Sequence, residues 1–338
     1  MRLDALNDLF HARAFALGLA FGGVAFLLTS MIGVVRRRRV PDAAAIAFAA
    51  AAWLGVRGAW GPELASGGVA FALLALAAGG ACVVVVNRHS AFGSRFPAVV
   101  SAVAIAPGAI YLAAVTPLAG GSTSRTVLAV SVIVIGVAMR DFDAMRGPRG
   151  VPWLLFLITA AGVYLAVPDT ELARVMLGVA LPFVLLSVPK PMFPLGPAGS
   201  PALAGVFAWV VVVGGRGRPG SVVGGLATIG ILVAEPLGRR VFGSLIPPSR
   251  RIPVDNFEED WRLVAGVAAV AQVLIILYAS RVVAREDAAG AALLICLPMI
   301  AIAALCVPMI YPKPNQYLER AHLDASRPRS RHRASARH

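Results

Sequence analysis

Two acidic pairs, one buried amide and one lone carboxylate are the residues of this sequence whose types and spacing could do chemistry. Asp169 and Glu171 stand in Pro168-Asp169-Thr170-Glu171-Leu172-Ala173-Arg174. An acid pair of this kind could serve general-base or metal chemistry on an envelope substrate. The competing reading makes Asp169 or Thr170 the N-cap of a helix, since acids are favoured at the positive helix end. Asp141 and Asp143 form a second pair, in Arg140-Asp141-Phe142-Asp143-Ala144-Met145-Arg146. Hard carboxylate oxygens spaced this way could hold a divalent cation against a phosphate. The flanking Arg140, Arg146 and Arg149 favour a salt-bridged loop instead.

Gln272 lies near the centre of the apolar run 263–280. An amide in lipid needs a partner on another helix, so Gln272 is either interhelical glue or a substrate contact. Glu235 lies in the run 220–238. A carboxylate within a membrane is a functional candidate by default, although an i, i+4 pair with Arg239 also accounts for it. Pro107-Gly108 and Pro298 interrupt further apolar runs. Each proline removes a backbone hydrogen bond, and a freed carbonyl can line a substrate path or simply mark a packing kink. Gln272, Glu235, Pro107, Gly108 and Pro298 are therefore the substrate-path candidates.

Other chemistries find no residues. Hydrolase elbows, HExxH and phosphate-binding glycine loops are absent from the sequence. The histidines at 11, 89, 322, 332 and 338 form no pair at ligand spacing, and neither do Cys82, Cys296 and Cys306. No catalytic residue, metal or cofactor is expected.

The elements that must position these residues are membrane helices. The chain is 58% hydrophobic and 14% charged, with mean hydropathy +0.78, against about 25% charged in soluble domains. A soluble core stops growing at a few hundred residues, so the surplus apolar surface must face lipid or other helices. Between 14 and 312 the sequence holds about eleven runs of membrane-crossing length, nine being the lower count.

Arg36-Arg37-Arg38-Arg39 follows the first run, 14–35. Arginines beside a span stay cytoplasmic, which places the N-terminus outside. Of the 31 Lys and Arg residues, 22 then fall on cytoplasmic connections or the C-terminal segment, as an odd span count with the C-terminus inside requires. The first run is too long for a cleavable signal and its positive cluster follows it, so a retained anchor is expected.

The expected architecture is all-α: a polytopic bundle over 14–312, an outer interfacial segment over 1–13, and a basic, largely disordered cytoplasmic tail over 313–338. The tail is arginine- and serine-rich and cannot bury enough surface to fold alone. The connection 239–262 combines Pro247-Pro248 with mixed charge and reads as an extended cytoplasmic loop that could take a protein partner. A net charge of +14 held in short loops and the tail suits anionic inner-leaflet lipids, not nucleic acid. The expected home is the plasma membrane of a bacterium. The function expected from span number, short loops and sparse polar groups is a transporter or flippase-like permease for a small or lipid-like envelope substrate. The alternatives are a non-catalytic subunit of a membrane complex and a membrane-embedded envelope enzyme.

Overall fold

The structure is a computed structural model that describes residues 13–36, 42–89, 97–118, 121–146, 151–183, 195–241, 261–288 and 290–294. The described residues are helical, with no strand among them. In chain order the helices are α1 (Arg13–Arg36), α2 (Ala43–Trp60), α3 (Gly67–His89), α4 (Pro97–Val115), α5 (Gly121–Arg146) and α6 (Val151–Ala166). They continue with α7 (Thr170–Phe183), α8 (Gly199–Gly214), α9 (Pro219–Ala227), α10 (Gly230–Val241) and α11 (Trp261–Arg281). Among the described residues, six stretches are long and apolar enough to cross a membrane: Arg13–Ile32, Ala43–Trp60, Gly67–Val86, Ala98–Val115, Gly121–Phe142 and Ala268–Arg285.

The bundle is organised around α8. Its sequence, Gly-Ser-Pro-Ala-Leu-Ala-Gly-Val-Phe-Ala-Trp-Val-Val-Val-Val-Gly, is apolar on every face, the pattern of a helix with no solvent side. All its residues except Val213 are buried. It packs against α2, α3, α5 and α7, and more lightly on α4 and α9. Outward faces are also apolar: Leu27, Phe71, Val103 and Val270 are each about 60% exposed. Aliphatic surface of this extent is costly in water and free of cost in hydrocarbon.

Four buried hydroxyls are satisfied locally. Thr29, Thr116, Thr159 and Ser200 each donate to a carbonyl four residues back, on Ala25, Leu112, Leu155 and Gly196. An aromatic cluster of Phe26, Phe48, Trp153, Phe156 and Phe183 ties α1, α2, α6 and α7 together. Trp153 stacks on Phe183 at 5.2 Å and Phe48 meets Phe156 edge-on at 5.2 Å.

The buried N-terminus of α8 takes its cap from far away in sequence. Asp42, immediately before α2, accepts from the Ala198 and Gly199 amides at 2.6 and 2.8 Å through Oδ1. Gly196 turns the chain at φ +77°, and a Cβ there would collide with the Asp42 carboxylate. Asp42 itself adopts a left-handed φ of +74°, which Asp and Asn tolerate better than other non-glycine residues. The contact closes two of the helix-end amides that no intrahelical carbonyl can reach.

Burial pushes the Asp42 carboxyl above its ordinary value, while the Gly199 and Ala198 amides pull it back. A raised folded-state value means the carboxyl's contribution to stability is present below about pH 3.8 and is lost as pH rises through the raised value. Asp42→Ala is expected to cost about 1–2 kcal/mol in detergent unfolding. Asp42→Asn keeps the acceptor, loses the pH dependence, and should match the wild type below about pH 3.8 and exceed it at neutral pH. An Ala variant as stable as the Asn variant would remove this cap from the account.

Two elements depart from the sequence reading. Span five, expected over 122–139, runs on to Arg146, so Asp141 and Asp143 are helical and not in a loop. Phe142, fully buried, anchors the extra turns, and Gly147-Pro148 follows. The run 220–238, expected as one helix, is divided into α9 and α10 by a turn at Thr228–Ile229. Pro107 lies inside a continuous α4.

Candidate functional site

The division between α9 and α10 frees backbone groups in the middle of an apolar run. Gly224, Gly225 and Gly230 surround it, residues with low helix propensity. Gln272, wholly buried on α11, closes the gap. Its Nε2 donates to the Thr228 carbonyl and, at 3.1 Å, to Thr159 Oγ1 on α6. Its Oε1 accepts from the Ile231 amide at 2.9 Å. One carboxamide thus serves the carbonyl end of one half-helix and the amide end of the next.

The Thr159 hydroxyl donates to Leu155 and the Thr228 hydroxyl to Gly225, so every donor in the cluster has an acceptor. Close packing holds the amide in place. A Cβ on Gly230 would meet Ile275 at 2.8 Å, and one on Gly162 would meet Ile276 at 2.7 Å. Discontinuous helices in membrane proteins place such backbone ends toward substrate or ions; here the amide of Gln272 occupies that position.

On its other side α10 borders a groove of about 330 Å³. The groove floor is one stripe of α5: Ile133, Val134, Val137, Ala138 and Asp141, at i, i+1, i+4, i+5 and i+8. Ala98, Val99 and Ala102 of α4 form one wall, and Val233 and Pro236 of α10 the other. Val99 and Val134 are half-exposed, so the groove opens at the side of the bundle. Asp141 is its only polar lining residue among those described. Beside it, Arg140 reaches from α5 to donate to Ser101 Oγ on α4. Ser101 is fully buried.

Asp169 and Glu171 do not converge. Asp169 stands at the N-cap position of α7, with Oδ1 3.5 Å from the Leu172 amide. Its Oδ2 accepts from Arg216 Nη2 and Nε at 2.8 and 3.2 Å, and its amide donates to the Gly214 carbonyl at 3.1 Å. Glu171 pairs instead with Arg174 at 2.6 Å. The two carboxylates are bound to different arginines. Arg216 is exposed, so Arg216→Ala is expected to cost under about 1 kcal/mol. Asp169→Ala removes cap and ion pair together and should cost more than Arg216→Ala in the same unfolding assay. The reverse order would show that the cap contributes nothing.

Pro107 faces outward and Gly108 is packed on Leu76, so neither lines the groove. Asp143 and Glu235 fall on α5 and α10, with side chains outside the described part. Pro298, segment 1–12, residues 242–260 of the loop 239–262, and the tail 313–338 also lie outside the described residues. Among the described residues no group of three or more His, Cys, Asp or Glu is placed to hold a metal ion.

Sequence reasoning missed Thr159, Thr228, Ser101 and Pro236 as members of these sites. The i, i+4, i+8 spacing of Ile133, Val137 and Asp141 is the one signal that could have found the groove. No family model matches the chain, and no curated protein or solved structure matches it. The fold itself sets the class. Six stretches long and apolar enough to span a membrane, around a helix with no polar face, are the architecture of a helical membrane protein.

Proposed function

We propose that this protein is a multi-pass plasma-membrane permease of the flippase type, which handles a lipid-like substrate through the groove between α4, α5 and α10. The proposed topology has about eleven crossings, with the N-terminus outside and the C-terminus inside. The six long stretches supply the frame, and the shorter apolar helices and the paired α9 and α10 supply further crossings. The arginine bias sets the direction, and the cytoplasmic basic residues are proposed to lie against anionic lipid heads. The observation that carries the function is a side-opening apolar groove, walled by a half-helix whose neighbouring break lies in an apolar run.

The test is lipid movement in proteoliposomes, read by quenching of tail-labelled phospholipid on the outer face. The wild type should equilibrate label faster than protein-free vesicles, and Val137→Trp, which fills the groove floor, should slow it with little change in unfolding. Proteoliposomes no faster than empty vesicles would overturn the permease.

A second reading is a non-catalytic subunit that docks through 239–262. Its support is the closed Gln272 cluster, in which each donor already has an acceptor within the chain. Inert proteoliposomes together with a stoichiometric partner, co-purified in mild detergent and lost on deletion of 242–260, would favour it.

A further inference from the structure

We propose that α10 is a hinged wall of the groove, and that Gln272 is the latch that holds it back. The inference rests on the permease reading for its purpose, and on the break alone for its mechanics. The backbone tightens at the break. The Thr228, Ile229 and Leu232 amides donate three residues back, to the Gly225, Leu226 and Ile229 carbonyls, at 3.3, 3.4 and 2.9 Å. The first two exceed the ordinary amide–carbonyl distance of about 2.9–3.0 Å. Bonding of this i to i−3 kind within a helical run often marks a hinge.

The two halves are seated differently. α9 lies with its backbone close against its neighbours, the turn Val283–Arg285 and α8. A Cβ on Gly220 would collide with the Glu286 carbonyl, one on Gly224 would lie 2.9 Å from Ala284 Cβ, and one on Gly225 would lie 2.6 Å from Val211 Cγ1. Beyond Gly230, α10 turns Val233 and Pro236 to the groove, so that side of it borders open space. In its first turn the Ile231 amide is held by Gln272 Oε1 at 2.9 Å, while Gln272 Nε2 grips the Thr228 carbonyl at the end of the other half. Breaking the Ile231 bond releases α10 and leaves α9 seated. α10 has twelve residues, about 18 Å of helix. A bend of about 20° at the break would carry its far end about 6 Å toward α4 and narrow the groove. Gln272 is thus a positioning residue: buried away from any ligand, it sets the groove's width through α10.

The test is the distance between paired spin labels on the full chain in mild detergent, with Cys82, Cys296 and Cys306 replaced by alanine. One pair joins Val103→Cys, exposed on α4, to Val241→Cys at the end of α10. The other joins Val103→Cys to Val223→Cys on α9. Gln272→Leu should shorten the first distance by about 3–6 Å and leave the second unchanged. Gln272→Asn keeps an amide but is one methylene short of serving both half-helices. It should shorten the first distance too, and it carries the test if the leucine variant does not fold. Adding Val137→Trp, which fills the groove floor, should abolish the shift. A first distance that is unchanged or longer in the Gln272 variants, an equal change in the second pair, or a shift that survives Val137→Trp would each overturn the proposal. Geometry is read here without lipid movement. A wall that tilts in a protein that moves no lipid sinks the permease alone, and lipid movement past a wall that stays fixed sinks only this inference.

Discussion

Replacing Gln272 with leucine is expected to destabilise the protein by about 2–3 kcal/mol, the cost of leaving buried polar groups without partners. Side-chain hydrogen bonds between membrane helices usually contribute less, about 0.6 kcal/mol on average, because released groups find other partners. The Gln272 contacts differ in kind. Two of the three groups it serves are backbone groups at a break, the Thr228 carbonyl and the Ile231 amide. Leucine offers neither donor nor acceptor, and the break leaves these groups no regular place in a helix ladder. Thr159→Val provides the contrast. It removes one acceptor from Gln272 and the side-chain bond back to Leu155, and leaves both backbone contacts intact. It should therefore cost under about 1 kcal/mol. Reversible unfolding in mixed micelles measures both. Equal, small effects from the two variants would mean that the break closes without Gln272, and the half-helices would lose their defining contact.

The contrast also shows where sequence reasoning stopped. A lone amide among Val and Ala announces that it needs a partner, because lipid supplies none. It does not announce which. The partners of Gln272 come from α6, the α9–α10 turn and α10, up to 113 residues away. The break itself was hidden because Thr228 and Ile229 do not interrupt the apolar run, and hydropathy is blind to a turn whose backbone is satisfied from another helix. Asp141 was misplaced for a local reason. Arg140 reads as the end of a span, yet its guanidinium bonds inward to Ser101 and Phe142 beyond it is buried. The helix therefore continues, carrying Asp141 onto the groove stripe. Helical character and apolar outer faces were legible, being set by composition and run length. Contacts such as Asp42 with Gly199, 157 residues apart, depend on how helices pack, and local pattern does not encode that.

Substitution of Gly18 or Gly22 should have an effect as large as loss of the Gln272 contacts, for a steric reason. The two residues are spaced i, i+4 on α1, the small-xxx-small arrangement that lets membrane helices approach closely. A Cβ on Gly18 would strike the Val175 carbonyl of α7, and one on Gly22 would lie 2.7 Å from Val179 Cα. The approach is reciprocal, since a Cβ on Gly178 would lie 2.5 Å from the Phe15 carbonyl. Every obstructing atom is backbone, so no rotamer change relieves the overlap and the helices themselves must separate. Alanine at either position is expected to cost about 1–3 kcal/mol, the range for overpacking, and leucine more. Separation would also disturb the Phe26–Phe183 contact between the same two helices, now 6.4 Å between ring centroids. Gly23 is the internal control: nothing lies within 4 Å of its Cβ position. Gly23→Ala should be neutral or stabilise by up to about 1 kcal/mol through helix propensity. Unfolding of the three alanine variants separates the causes. Loss at 18 and 22 with none at 23 identifies backbone contact between α1 and α7, whereas equal behaviour at all three would show that the helices do not pack this closely.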